Sequence, residues 1–158
     1  MARLLALILF GVLAISPASA QTMMQKLTTQ AIGNALREAG VASTVGRDNV
    51  GDPMLEITPG ATPAYAMRVL FFTCAREACE DATLVAYLRP AGGARLERIN
   101  EWNRTARWTR AYLDTDGDAT LELDINATGG IGPAAVVVLV RTFLEQLTKF
   151  AKHIDGGI

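Results

Sequence analysis

Histidine occurs once in these 158 residues and cysteine twice, and those two shortages narrow the chemistry before any motif is sought. Nucleophilic catalysis of the Ser-His-Asp or Cys-His kind needs an imidazole to carry the proton, so it would have to route through His153. That residue follows Lys152 near the end of an amphipathic stretch, where a cationic group ordinarily serves the helix terminus. A structural zinc wants four ligands, more than two cysteines and one distant histidine supply. No glycine-rich phosphate loop is present, because "TGGIGP" at 128–133 lacks the lysine and the spacing of a P-loop. Charge of one sign is also missing: 15 basic against 16 acidic residues leave a formal net charge of −1. Such a balance points to no strong whole-protein attraction to nucleic acid or anionic lipid. There is no internal repeat and no low-complexity tail.

What is present begins at the N-terminus. "MARLLALILFGVLAISPASA" has a single arginine, an apolar run from Leu4 to Ile15, a Ser16-Pro17 break and an Ala18-Ser19-Ala20 end, the plan of a secretory signal peptide. Cleavage after Ala20 is expected, leaving residues 21–158 as one domain, periplasmic or secreted, with 14 basic and 16 acidic residues. The apolar run is shorter than the roughly 18 residues a retained membrane anchor needs, and no cysteine near the cut offers a lipid attachment point. In an exported chain the pair Cys74 and Cys79 reads as a structural disulfide. The rival readings are a redox pair, which more often has tighter C-x-x-C spacing, and a metal site.

Periodicity supplies the elements. Met24, Leu27, Ala31, Ile32, Ala35, Leu36 and Ala39 recur at threes and fours, predicting a helix over 23–39, and Gly40 suits its stop. Short strands around 42–45 and 54–58 are broken by turn formers. Two stronger strands start at Tyr65 and Ala82 and flank the cysteines, whose bond would tie adjacent antiparallel strands across "AREA". "ARLERINEWNRTAR" sets Leu96, Ile99 and Trp102 on one side of a short helix. A hairpin follows, 107–113 against 119–125. A tight Asp116-Gly117 turn would put Trp108 and Tyr112 on its apolar face, whereas a longer loop would put Arg110 opposite Glu122. The tight turn is preferred. A long helix from Pro133 to about Ile154 closes the chain, with Val136, Val140, Phe143, Leu147 and Phe150 on its stripe. Val137 and Val138 lie off that stripe and are the candidate partner-binding residues; the plainer reading is a core contact with another element. The order of elements predicts an α+β fold with a largely antiparallel sheet packed by an N-terminal, a central and a long C-terminal helix.

"DTDGDATLELDI", 114–125, invites comparison with a calcium loop. Asp114, Asp116 and Asp118 occupy its first, third and fifth positions, but Ala119 stands where the bend requires glycine and Ile125 where the closing glutamate belongs. The stretch therefore reads as a turn. The crowd of Arg89, Arg95, Arg98, Arg104, Arg107 and Arg110 ahead of these acids reads as surface pairing.

The stretch "INEWNRTARWTRAYLDTDGDATLELDINATGGI" with "FLEQLTKFAKHI" resembles the YbjN-type domain, a family described as bacterial sensory-transduction regulators. The resemblance rests on Asn100, Trp102 and Asn103, on Trp108 to Asp114 including Tyr112, on Glu122 and Asp124, on Gly129-Gly130, and on the terminal helix. It implies a type III secretion chaperone-like fold, often dimeric, and carries no catalytic residues with it. The combined expectation is a non-catalytic exported binding, chaperone-like or regulatory module with no cofactor and no resident metal, holding an unknown protein partner or a copy of itself. The alternative is a calcium- or redox-dependent protein using Asp114–Asp118 or Cys74 and Cys79.

Overall fold

The computed structural model describes residues 22–57 and 66–155; the leader with its Ala20 cleavage point, Thr58 and Tyr65 lie outside them. Alternation in the strands decides the architecture. Leu55, Val69, Leu84 and Leu123 are successive partners across four strands, each no more than 3% exposed, and the residues on either side of each point the other way. A sheet with one continuous apolar face must have that face covered, and the helices cover it. The elements are α1 (Thr29–Glu38), β1 (Ser43–Arg47), β2 (Pro53–Ile57), β3 (Ala66–Ala75), β4 (Ala78–Leu88), α2 (Leu96–Thr105), β5 (Arg110–Leu113), β6 (Ala119–Asn126) and α3 (Pro133–Ile154). All six strands are antiparallel, in the order β1-β2-β3-β4-β6-β5. Helix α3 lies over β4 and β6, α1 over β1 and β2, and α2 beside β5. This is the α+β fold read from the sequence.

The first helix begins later than its periodicity suggests. Leu27 exchanges two backbone hydrogen bonds with Cys79, at 2.7 and 2.9 Å, and Met24 exchanges two with Ile131, both 2.9 Å. These bonds hold 24–27 extended as a strap across the end of the sheet. Thr28 then caps α1 by accepting from the Ala31 amide at 3.1 Å, which satisfies an otherwise orphan donor. Met24 and Leu27 thus belong to the apolar pattern because they are packed, not because they are helical. Gly40, at φ 82°, ends the helix in the left-handed region as expected.

Strands β3 and β4 run on through the cysteines, so the connection shrinks from "AREA" to the pair Arg76-Glu77. Cys74 and Cys79 are register partners and are joined by a disulfide. The closed loop is short, and loop-entropy reasoning gives it only about 2 kcal/mol, a local pin at the hairpin tip.

The preferred turn in the last hairpin is corrected. Leu113 pairs with Ala119 and Arg110 with Glu122, so the connection is the five-residue loop 114–118. Trp108 lies before the strand, not on its apolar face, and Tyr112 points to the sheet face opposite the helices. The cause is local: the Asp114 carboxylate accepts from the amides of Asp116 and Asp118, both at 2.9 Å, a side-chain turn that competes with a two-residue reversal. Gly117, at φ 81°, occupies the one position of the loop that is left-handed.

Helix α2 joins two parts of the molecule. Trp102, 6% exposed, packs edge-on against Phe150 of α3 with ring centroids 5.0 Å apart, and its Nε1 donates to Thr109 Oγ1 at 3.2 Å. Asn103 pairs its amide with the backbone of Ala111, donating to the carbonyl and accepting from the N–H, both at 2.8 Å. It occupies the outer edge of β5 where another strand would otherwise add. Trp102→Ala is expected to cost about 3–5 kcal/mol in urea unfolding, with Trp102→Phe recovering most of it; a loss under about 1 kcal/mol would contradict this placement.

Candidate protein-binding surface

The face of the sheet away from the helices carries a polar network built from strand alternation. Glu122, 8% exposed, accepts from Arg110 Nε at 2.8 Å and from the Tyr112 hydroxyl at 2.7 Å. Beside it Asp124 accepts from Thr83 Oγ1 at 2.6 Å. The structure thereby brings together Tyr112, Glu122 and Asp124. Burial first, and then the hydrogen bond to the Glu122 carboxylate, hold the Tyr112 phenol well above the usual tyrosine range. Each acid in this group already has a donor, which makes the cluster a structural clamp between β5, β6 and β4.

The acidic loop is likewise spent on the fold. Asp114 serves two backbone amides, and Asp118 takes a two-oxygen clasp from Arg89, whose Nε lies 2.8 Å from one oxygen. That bond from Arg89 lowers the Asp118 carboxyl below its ordinary value. Among the described residues no group of three His, Cys, Asp or Glu side chains is placed to hold a metal. Among the described residues the expected pairing of the arginine crowd is met at Arg89, at Arg110 and at Arg98 with Glu101, but not at Arg95, Arg104 or Arg107.

The remaining motif residues divide by role. Trp102 and Asn103 are the contacts of α2 described above, while Asn100 is exposed and makes no side-chain hydrogen bond among the described residues. Gly129 and Gly130 both have left-handed φ, 84° and 99°. At Gly130 an added Cβ would come within 2.9 Å of the Gln25 side chain, so glycine lets the strap pass beneath the start of α3. His153 Nε2 donates to the Arg98 carbonyl at 2.8 Å and its ring lies 5.7 Å from Trp102, a packing role.

The unfilled space lies around α1. Between α1 and the start of α3 is a hollow of about 320 Å³, lined by Met24, Ala31, Ala35, Pro133, Val136 and Val137. On the other side of α1, against the edge strand β1, is one of about 560 Å³ that includes Val41, Val45 and Leu55. Gln30 and Asn34 line both, so α1 separates the two hollows by the width of those side chains; Thr29, Arg37 and Ser43 give the second a mixed polar and apolar lining. Val137 is 8% exposed and closes the floor of the first; Val138 is 60% exposed and stands beside Ala134 and Arg141 on the helix surface by its spacing. Arg141 reaches Glu38 of α1 at 3.4 Å. Val45, 71% exposed, continues the core row outward from Leu55. Sequence periodicity could not mark Val45 or the α1 hollows, because both arise from the way α1 rests on the sheet. A larger hollow, about 600 Å³, lies where the 89–95 loop meets Leu88 and Ile154, and its lining is polar and apolar in about equal parts.

Three helices on a six-stranded antiparallel sheet make this an α+β domain, and its fold is shared with a type III secretion chaperone complex. The chain resembles one from the "Structure of the HopA1-SchA Chaperone-Effector Complex", with a TM-score of 0.52 and 13% identity over 78% of this chain and 91% of that one. A second, from the heterodimeric ExoU–SpcU complex of the type III secretion system of Pseudomonas aeruginosa, gives 0.39 and 11%, over 79% and 98%. Among curated proteins none matches the sequence. The family model YbjN, described as "Putative bacterial sensory transduction regulator", matches residues 28–156. The chain belongs to the YbjN family.

Two outcomes follow from the loop and the clamp. Asp114→Ala should cost about 1–2 kcal/mol through two lost amide partners, whereas Asp116→Ala should stay within about 0.5 kcal/mol; equal effects in urea unfolding would contradict the loop geometry. An unfolded tyrosine ionises near pH ~10, before the folded Tyr112 does. Its contribution to stability is therefore whole below that pH and is lost as pH rises further. Urea midpoints between about pH 9 and 11 should fall more steeply for the native protein than for Tyr112→Phe.

Proposed function

We propose that this chain is a non-catalytic, exported, chaperone-like binding module that holds an apolar segment of another protein across α1. The observation that carries this reading is the pair of hollows flanking α1, with Val137 on one floor and exposed Val45 beside the other. Apolar space with a few polar groups at its rim is what a protein segment needs in order to bury side chains. The membership in the YbjN family and the fold shared with a chain of a chaperone–effector complex support a binding role over a catalytic one. The engaged state of Glu122, Asp114 and Asp118 supports it too, since no convergent set of free polar groups is left there to do chemistry. The segment at 1–20 supports export, with the domain from Gln21 onward working in the periplasm or outside the cell.

The fit of Ala31 to the first hollow supplies the test. Ala31 is half-buried and lines the space without belonging to the core, so Ala31→Trp fills the hollow while the fold stands. The 21–158 protein is expected to slow aggregation of a chemically unfolded reporter, and Ala31→Trp combined with Val45→Asp to abolish that at an unchanged melting temperature. Size measurement, alone and with Val138→Asp, separates a foreign segment from a second copy. No effect of the native protein on the reporter, or an undiminished effect of the double variant, would overturn the reading.

A further inference from the structure

The corner where α2 runs into β5 places an exposed indole among unpaired cations. Trp108 is 68% exposed with φ at 74°, a left-handed backbone that bulky side chains rarely adopt. Packing does not explain a large apolar side chain held there in water. Next to it Arg107 and Lys149 flank a hollow of about 290 Å³ between α2 and α3. Lys152 shares the side of α3 on which Lys149 stands, and Arg104 projects from the last turn of α2. All four are exposed. Lys149 is paired with Glu145, and Arg98 with Glu101. Among the described residues Arg104, Arg107 and Lys152 have no acidic side chain in ion-pair contact.

We propose that this corner docks the protein, reversibly, on the anionic phospholipid surface of a membrane. Indoles settle at the headgroup level of bilayers, and each cation near an anionic surface strengthens attachment about fivefold. The acidic side chains on α2 and along this part of α3 are Glu97, Glu101, Glu145 and, three residues beyond Lys152, the exposed Asp155, of which Glu101 and Glu145 are engaged. The opposite sheet face carries Glu56, Asp81, Glu122 and Asp124 against Arg68 and Arg110, so the molecule is polarised. Near an anionic surface that polarity turns the α2 corner inward and the acidic face outward, and the small net charge of the chain does not oppose it. A peptide would need apolar or backbone partners beside the indole. The residues on either side of Trp108 in the chain are instead Arg107 and Thr109, which suit a layer of headgroups. The corner shares no residue with the α1 surface, so its failure leaves the binding reading standing.

The test is co-sedimentation of the 21–158 protein, whose described contacts all lie within that span, with phosphatidylglycerol vesicles and with purely zwitterionic ones. Binding only to the anionic vesicles is expected, with release at about 0.5 M salt and at least a tenfold loss in Trp108→Ala and in Arg104→Glu/Arg107→Glu. Circular dichroism checks that both variants fold, and Trp108 fluorescence in a Trp102→Phe background should shift to the blue on binding. Absence of sedimentation, equal sedimentation with zwitterionic vesicles, or native-like binding by the folded variants would overturn the proposal. So would tight capture of a polyglutamate peptide without any vesicle binding, which would give the corner to an acidic protein segment instead.

Discussion

The burial of the α3 stripe on β4 and β6 is the interaction on which the rest of this molecule depends. Val136, Val140, Phe143 and Phe150 are at most 1% exposed, and they lie over Leu84, Leu121 and Leu123 in the middle of the sheet. Full burial of side chains of this size is worth about 1.5–3 kcal/mol each relative to exposure. Helices α1 and α2 have less of the sheet to themselves and lean on α3 from either side. Trp102 is the contact on one side. On the other side Val137 is buried and Arg141 reaches Glu38, and a hollow of about 320 Å³ remains between α1 and the start of α3. The candidate surface is therefore a consequence of packing two ten-residue helices and one of 22 residues on a six-stranded sheet.

Polar residues in this chain serve closure more than chemistry. Asn103 takes the edge of β5, Asp114 folds the loop between β5 and β6, and Glu122 ties Arg110 to Tyr112. The edge of β1, by contrast, has no partner strand among the described residues and is bordered by an exposed valine. One edge of the sheet is thus sealed by a side chain and the other is left to the region of α1.

Much of this was legible in the residues. The stripe from Val136 to Ile154 and the alternation of Leu121, Leu123 and Ile125 predict α3 and β6 because burial on one face leaves a period in the sequence. The cysteines predict a hairpin tip, and the structure closes it. The family motif pointed to the right stretch, yet its members do unlike jobs that no spacing could separate: Asn103 pairs with backbone, Gly130 makes room for Gln25, and Asn100 is left in solvent. The strap at 24–27 was hidden because an extended segment held by Cys79 and Ile131 carries the same apolar marks as the first turn of a helix. The longer loop, with Arg110 opposite Glu122, was legible as the alternative but ranked second because Asp-Gly favours a tight turn, and the local bonds from the Asp116 and Asp118 amides to the Asp114 carboxylate reverse that order. Val137 was suspected as a binding residue from its place off the stripe; it is buried, and it lines space that exists only because α1 stands where it does.

The central claim, that apolar protein segments bind across α1, is tested most directly by amide chemical-shift mapping while an unfolded apolar polypeptide is titrated into the isotopically labelled 21–158 protein. The account requires saturable shifts concentrated in Thr28–Glu38, Ser43–Arg47 and Pro133–Arg141, with the disulfide tip and the Glu122 clamp unmoved. Shifts centred on those last two places, or none that saturate, would contradict it.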